Sequence, residues 1–283
     1  MITQLMKYRD YDHEDMSSRI YGVVTALVTN NKDPDKMGRV KVKYPWMGEA
    51  KDKESYWARV TTFMAGEKRG GYFLPEVNDE VLVAFENGDI NYPYVIGTLW
   101  NGKDKPIESN DDGKNNIKAI HSRSGHKIIL DDTKDNEKFI LKDKTGKRVF
   151  TFDVKAKLIK LENTEDKGEI KITSKGKMTI QSDDAMDIKA KKKITIKSND
   201  DVEISGKNVT TKSTANMNIK SGAKLDIKAT SSAKITANAR LDMKGTAGAK
   251  LEASGTLDLK ATGPTTVQSS AITSVKGSLV KIN

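Results

Sequence analysis

The sequence predicts an all-β protein that consists of a small closed barrel followed by a long β-helical repeat. Between residues 170 and 282, two apolar residues flanking one polar residue recur about every eight positions. Residues 20 to 100 instead carry closely spaced strand signals without a convincing amphipathic helix. All 17 aromatic residues lie within the first 152 residues, so the two parts of the chain must build different kinds of core.

The first 17 residues show no sustained hydrophobic period, and we interpret residues 1–17 as an N-terminal arm. They lack the apolar run of a secretory signal peptide, and the most apolar early stretch, residues 20–28, is too short to span a bilayer. We therefore expect assembly in the bacterial cytoplasm, unless another machine exports the protein. The chain contains no cysteine, which excludes disulfides and thiolate metal sites.

Residues 18–101 are predicted to form a closed barrel of about five strands. The strand signals are YGVVTALV (21–28), GRVKVKYPW (38–46), YWARVTTFM (56–64) and the run 79–100. Turn-forming residues separate these signals at positions 30–34, 47–49, 66–71 and 87–89. Short strands at this spacing favour a barrel of the OB type.

The repeat over residues 170–283 contains fifteen apolar rows, and 27 of their 30 paired positions are apolar. An apolar-polar-apolar triplet indicates a short strand with one buried face, because successive side chains point to opposite sides of a strand. Two steps are shortened by one residue and contain Gly206 and Gly277. Such an odd step would reverse the buried face unless a bend absorbs it. The predicted core residues are Ile170, Ile172, Ile180, Ile188, Ile194, Ile196, Ile204, Ile219, Leu225, Ile227, Ile235, Leu241, Met243, Leu251, Leu257 and Leu259.

One octad cannot bury its own apolar face, so neighbouring rows must complete the core. Two closures are open: a single chain with three octads per turn, or three chains that wind together, each supplying one face. The second is favoured because each row offers only two inward side chains and no aromatic residue follows Phe152. From Leu225 to Thr265 the first position alternates large and small residues, as expected where side chains interdigitate on one axis.

The formal net charge of +10 lies entirely on the repeat, where residues 170–283 hold 20 basic and 10 acidic residues. The favoured explanation is that lysines keep β-edges and outer faces from aggregating. Attraction to an anionic surface, such as an envelope polymer or nucleic acid, is the alternative.

The ordered motifs resemble a known family. GRVKVKYPW (38–46), ESYWARV (54–60), YFLPEVNDEVLVAFENGD (72–89) and PYVIGTLWNGKDKP (93–106) are similar to the OB-fold domain of the tail-spike family of contractile injection machines. That family includes phage baseplate assembly protein V and the VgrG spikes of type VI secretion. RSGHKIILDD (123–132) resembles the strand that follows the barrel in these proteins, and the octad repeat resembles their triple-stranded β-helix.

This resemblance implies a homotrimer whose β-helix forms a puncturing needle, often sharpened by a PAAR-type cap. A full VgrG spike begins with a large hub domain, whereas about 17 residues precede the barrel here. We therefore expect a separate baseplate hub protein that connects the spike to the tail tube. Residues 102–118 form a linker too short for the lysozyme domain that some spikes carry. Residues 119–169 are interpreted as a transitional β segment.

No catalytic, cofactor-binding or metal-binding site is expected. His121 and His126 have no cysteine partner, and the iron-binding His-x-His apex of some family members is absent. Paired acids such as Asp131 and Asp132 would face opposite ways on a strand and cannot flank one scissile bond. Four barrel aromatics could stack on nucleic-acid bases, although core and subunit packing is the favoured interpretation. These aromatics are Tyr44, Trp46, Tyr56 and Trp57.

The favoured function is that of the central spike of a phage tail or phage-tail-like particle, which pierces the target envelope mechanically. The expected partners are the hub, a tip protein and, transiently, the target envelope, with no specific nucleic acid. Val280, Ile282 and Asn283 are expected to bind a PAAR-like tip protein, since the apolar rows continue to the end of the sequence. The alternative is an OB-fold module that binds nucleic acid or oligosaccharide, with a basic β-solenoid as spacer.

Overall fold

The structure is a computed structural model that describes residues 19–48 and 53–282. It divides into two units, Met1–Asp183 and Asp184–Asn283. The predicted N-terminal arm and Asn283 lie outside the described residues. In the described part of the chain, no helix has the length and apolar character that a membrane span requires. The domain boundaries drawn from the sequence remain predictions.

Twelve β-strands account for the regular structure of the first unit. They are β1 (Val24–Asn30), β2 (Lys41–Lys43), β3 (Arg59–Val60), β4 (Ala65–Gly66), β5 (Arg69–Gly70), β6 (Glu80–Phe85), β7 (Pro93–Thr98), β8 (Ile117–His121), β9 (Lys127–Asp131), β10 (Lys138–Lys142), β11 (Arg148–Asp153) and β12 (Leu158–Asn163). Short 3-10 turns follow β2 and β6, at Pro45–Met47 and Glu86–Gly88. This composition confirms the predicted all-β class.

Five strands form a closed barrel. Their order is β2-β1-β6-β7-β3, and all pairs are antiparallel except β3 with β7. The two edges meet at an antiparallel bridge between Val40 and Ala58, which exchange backbone hydrogen bonds of 3.0 and 2.7 Å. Closure removes the free edges that an open sheet would expose. The predicted OB-type barrel is thus confirmed.

The barrel core follows from the alternation of side chains along its strands. In β6, Val81, Val83 and Phe85 are buried while the residues between them are half-buried. In β1 the buried residues are Ala26 and Val28. The remaining core residues are Val40, Val42, Tyr44, Ala58 and Val95. Small β-branched residues dominate because the interior of a five-stranded barrel is narrow.

A short hairpin, β4–β5, projects from the barrel between residues 63 and 73. Gly70 in this hairpin has φ of +148°, a conformation that residues with a side chain rarely adopt. A Cβ atom there would lie 2.6 Å from the carbonyl oxygen of Met64. Within the turn predicted at residues 66–71, both the backbone conformation and the lack of space for a Cβ atom therefore require glycine at position 70.

After the barrel and a strand-free stretch, β8 to β12 form a five-stranded antiparallel sheet in which each strand pairs with the next. Only one strand of this sheet was predicted from the sequence, by the motif RSGHKIILDD, which contains β9. The other strands are likewise short, at five or six residues each. The segment expected to be transitional is thus a complete sheet.

The repeat consists of extended six-residue runs separated by bends. Twelve bends contain two residues, beginning with residues 175–176 and ending with residues 270–271. The two shortened steps have a single bend residue instead, Lys207 and Ser278. The bend therefore absorbs the missing residue, and every apolar pair stays on the same face. No residue between 170 and 282 belongs to a strand or β-bridge in the single chain.

Gly206 and Gly277 lie directly before the two single-residue bends. Neither residue has a positive φ, so the shortened bends do not need glycine for its backbone freedom. Each instead occupies the last residue of its extended run, a position that is small in every octad.

Candidate assembly surface

The apolar rows of the repeat present two columns of side chains that differ in exposure. The first residue of a row, where it is large, is between 48% and 59% exposed, as at Ile170 and Leu241. The second residue is between 67% and 90% exposed, as at Ile172 and Ile227. Every residue predicted for the repeat core is thus exposed in the single chain, as are Val280 and Ile282. Since full burial of one such side chain is worth about 1.5–3 kcal/mol, the rows strongly favour association.

If the first apolar residue of a row is counted as position one of its octad, the two apolar residues occupy positions one and three. Position five is a third inward position and completes this surface. Alternation places it on the same side as the apolar pair, and a residue with a small side chain occupies it throughout. Its occupants are Ser174, Ser182, Ala190, Ser198, Gly206, Ser213, Ser221, Ala229, Ala237, Gly245, Ala253, Ala261, Ser269 and Gly277. This column was not predicted, although a small residue recurs with the octads in the sequence.

Serines in the fifth position also stabilise the bend that follows them. Ser213 Oγ donates to the carbonyl of Asn216 at 2.9 Å, and Ser221 Oγ donates to the carbonyl of Lys224 at 2.7 Å. Ser198 Oγ accepts a hydrogen bond from the backbone N–H of Asp200 at 3.2 Å. Serine is well suited to this corner because its hydroxyl replaces a backbone partner that the bend lacks.

The sheet β8–β12 carries a second apolar surface, which we call the apolar sheet face. Its first row joins residues that lie directly opposite one another across five strands: Ile120, Ile128, Leu141, Phe150 and Leu161. Its second row, across four strands, contains Leu130, Phe139, Phe152 and Ile159. Opposed residues of an antiparallel sheet project from the same face, so these nine side chains form one continuous surface.

Aromatic contacts hold this surface together, yet it remains open to solvent. The rings of Phe150 and Phe152 meet edge to face at a centroid distance of 4.9 Å, and Phe139 lies 5.8 Å from Phe152. Ile159 is 67% exposed and Leu161 is 57% exposed. Seven of the nine side chains of this face are exposed in the single chain, so the face is a contiguous apolar patch. It is much larger than the scattered apolar residues of an ordinary surface.

Two carboxylates of the first unit with strongly lowered pKa values, Asp33 and Asp143, stabilise loops. The side-chain hydrogen bond from Arg39 holds the pKa of Asp33 well below its usual value, although burial acts in the opposite direction. Burial would likewise raise the pKa of Asp143, but hydrogen bonds from Thr145 and Arg148 outweigh it and lower the pKa. Both carboxylates accept backbone N–H groups of their own loops, so they stabilise turns.

The four aromatic residues singled out in the barrel have different environments. Tyr44 is buried against Trp46 and Phe85, and burial raises its pKa to about 12. The ring of Trp57 lies under the cationic groups of Arg39 and Lys41, at 5.8 and 5.5 Å from its centroid. Trp46 and Tyr56 are exposed. The structure therefore does not bring the four rings together into a stacking platform.

The two histidines of this sheet have different settings. His121 ends β8 with its Nε2 buried, whereas the backbone N–H of His126 donates to Ser122 Oγ at 3.0 Å. Over residues 19–48 and 53–282, no three side chains of His, Cys, Asp or Glu are grouped closely enough to hold a metal ion.

Comparison with known proteins links the barrel to injection machines. Residues 24–100 match the family described as the type VI secretion system/phage-baseplate injector OB domain. The chain is 39% identical over 93 residues to the type VI secretion system spike protein VgrG5 of Pseudomonas aeruginosa, covering 31% of this chain and 12% of the relative. It is 40% identical over 68 residues to the spike protein VgrG3 of Vibrio cholerae, covering 23% of this chain and 7% of the relative.

Another match covers more residues than the barrel contains. The chain is 27% identical over 158 residues to the spike protein VgrG1b of Pseudomonas aeruginosa, covering 52% of this chain and 20% of the relative. It therefore spans no more than a fifth of the length of these three relatives. The barrel, residues 24–100, is thus similar to the injector OB domain of type VI secretion and phage-baseplate proteins, which agrees with the family resemblance of its sequence motifs.

Proposed function

We propose that this chain is the central spike of a contractile, phage-tail-like injection machine and that it pierces the target envelope mechanically. The observation that carries the proposal is the apolar surface of residues 170–282, which is exposed in a single chain that also contains an injector OB domain. Such a surface requires a partner before it is stable in water. Further copies of the same chain are the simplest partner, because they provide the same row spacing.

Three copies fit the rows better than a single-chain solenoid. The rows supply two apolar side chains and one small residue per octad, which suits a thin interior shared among chains. The single chain does not fold its octads over one another, and their extended runs lack strand partners. Parallel runs from neighbouring copies would satisfy the backbone groups and cover the rows at the same time.

The apolar sheet face supports the same assembly. It lies on β8–β12, the sheet that precedes the repeat along the chain, and seven of its nine side chains are exposed. We infer that equivalent faces of three copies meet at the axis. The trimer would then be held together both by the sheets and by the repeat.

The remaining partners follow from the family. We propose a baseplate hub protein that holds the spike and links it to the tail tube, and a PAAR-like tip protein that contacts Val280 and Ile282. The tip contact is supported by the exposure of both side chains. The spike would act on the envelope of the target cell after assembly in the bacterial cytoplasm. Its work would be mechanical, without catalysis or a cofactor.

The alternative, an OB-fold module that binds nucleic acid, has less support from the barrel surface. A base-stacking platform needs open aromatic faces, yet Tyr44 is buried and Trp57 is covered by two cations. We therefore assign the barrel to the collar of the spike.

Solution mass tests the proposal directly. A trimer of this 31.3 kDa chain has a mass of about 94 kDa, and sedimentation or light scattering of the full chain should report that value. A stable monomer would contradict the proposal. Cryo-electron microscopy of purified particles from the producing cells should then place the trimer on the tail axis.

A further inference from the structure

The outward side of the repeat carries a column of lysines. The fourth residue of an octad lies between the second apolar residue and the small fifth residue, so alternation directs it away from the rows. Lysine occupies this position in eight of the thirteen octads whose fourth residue lies in the second unit. We call these residues the lysine column: Lys189, Lys197, Lys212, Lys220, Lys228, Lys244, Lys260 and Lys276.

Local ion pairs leave most of the lysine column unneutralised. Asp226 pairs with Lys224 at 2.5 Å, which leaves Lys228 without an acidic partner on the same run. Asp242 likewise pairs with Arg240 at 2.6 Å and not with Lys244. Among the described residues, only Lys189 of the column forms an ion pair, with Asp187. Asp226 and Asp242 therefore engage cations outside the lysine column.

The chemistry of this surface favours phosphate groups over nucleic-acid bases. The repeat contains a single arginine, Arg240, and no aromatic residue, so it lacks the groups that stack on bases or bind them bidentately. Lysine is a strongly hydrated point charge on a flexible stem, which suits a dense but irregular array of phosphates. Anionic lipid headgroups provide such an array and attract each nearby lysine.

We propose that the lysine column binds the anionic phospholipid headgroups of the membrane that the spike meets. The proposal rests on the proposed spike function, because that function brings the chain to a membrane. Three copies would multiply the number of lysines that face the headgroups. Each chain carries its own lysine column, so the column does not depend on the hub protein or on the tip protein. Electrostatic attraction would hold the needle against the membrane surface while axial force drives it through.

Vesicle binding by the full chain tests this proposal. The probe is a vesicle of phosphatidylglycerol and phosphatidylcholine, compared with one of phosphatidylcholine alone. We expect binding to the anionic vesicle only, and its loss between about 0.1 M and 1 M salt as the Debye length falls from ~10 to ~3 Å. Glutamine at Lys212, Lys220, Lys228, Lys244 and Lys260 together should weaken binding by about tenfold or more.

A matched variant controls for total charge. Glutamine at Lys103, Lys105, Lys134, Lys144 and Lys155 removes five exposed lysines from the first unit and should leave binding within about twofold of wild type. Equal losses in both variants, binding to phosphatidylcholine alone, or preferential capture of duplex DNA over the vesicle would overturn the proposal. Solution mass separates the two hypotheses: a wild-type monomer would refute the trimeric spike, whereas a trimer that ignores anionic vesicles would refute only the lysine column.

Discussion

Arg39 binds Asp33 through two side-chain hydrogen bonds at the loop between β1 and β2. Its Nε donates to Oδ2 at 3.0 Å and its Nη2 donates to Oδ1 at 2.7 Å. The same carboxylate accepts the backbone N–H groups of Asp35 and Met37, at 3.0 and 2.9 Å. The side chain of Asp33 is only 3% exposed. One carboxylate therefore organises the loop that leads into β2 and the barrel closure.

Replacing Asp33 with Asn should destabilise the barrel. Asparagine offers one acceptor oxygen and places an N–H group against donors, so several hydrogen bonds would be lost. The urea midpoint, followed by tryptophan fluorescence, should fall clearly, because all three tryptophans lie within residues 46–100. The control is Asp35→Asn, since Asp35 is 66% exposed and should matter little. Equal midpoints for wild type and Asp33→Asn would show that the loop does not depend on this carboxylate.

The contribution of Asp33 should also depend on pH. Its folded pKa lies below the ordinary value of 3.8, chiefly through the hydrogen bond from Arg39. A carboxyl group whose pKa is lower in the folded than in the unfolded state stabilises the protein at pH values above its unfolded pKa. This stabilisation is lost as the pH falls towards the folded pKa. The difference in urea midpoint between wild type and Asp33→Asn should therefore be constant near neutral pH and shrink below about 3.8. A difference that grew on acidification would have the wrong sign.

Charged residues in the apolar rows should prevent assembly. In a trimer, Ile227→Asp or Leu241→Asp would bring three unpaired carboxylates close to one axis, at a cost of several kcal/mol each by the order of magnitude for buried charges. Both variants should be monomeric in sedimentation experiments. Lys228→Glu and Lys244→Glu alter outward side chains and should remain trimeric. Equal behaviour of the two pairs would show that the inward face has been assigned wrongly.

The fifth position of the octad should tolerate only small side chains. Ser221→Leu would place a large side chain at the corner of the interior and should weaken or abolish the trimer. Ser221→Ala keeps the size but removes the 2.7 Å hydrogen bond to Lys224, so it should cost only about 1 kcal/mol. Thermal dissociation of the trimer distinguishes the two effects. A trimer that accepted leucine here as readily as alanine would contradict a narrow interior.

Neighbouring residues of β12 test the apolar sheet face. Ile159 belongs to this face and is paired with Phe152, whereas Lys160 projects from the opposite side. Ile159→Ser should raise the concentration at which the trimer dissociates, because each copy loses an apolar contact worth about 1.5–3 kcal/mol. Lys160→Ser removes only a surface ion pair with Glu162 and should be nearly neutral. If both variants dissociated alike, the face would not be part of the interface.

Local pattern by itself determined the all-β class, the barrel and the apolar rows. The alternation of buried and half-buried residues in β6 and the turn residues at 87–89 indicate the barrel strands, because successive side chains of a strand point to opposite faces. The octad spacing specified the bends in the same way, since each bend depends on two residues and the small residue before them. Site residues such as Ile227 and Leu241 could be assigned to one face without any knowledge of the tertiary structure.

Tertiary structure decided which distant residues meet. The apolar sheet face exists only once five strands have paired, because its first row runs from Ile120 on the first strand to Leu161 on the last. The burial of Tyr44 likewise depends on the edge-to-face contact with Phe85 from β6, whereas Trp46, two residues further on, is exposed. Barrel closure through Val40 and Ala58 is a pairing of edges, and it exists only once five strands have assembled.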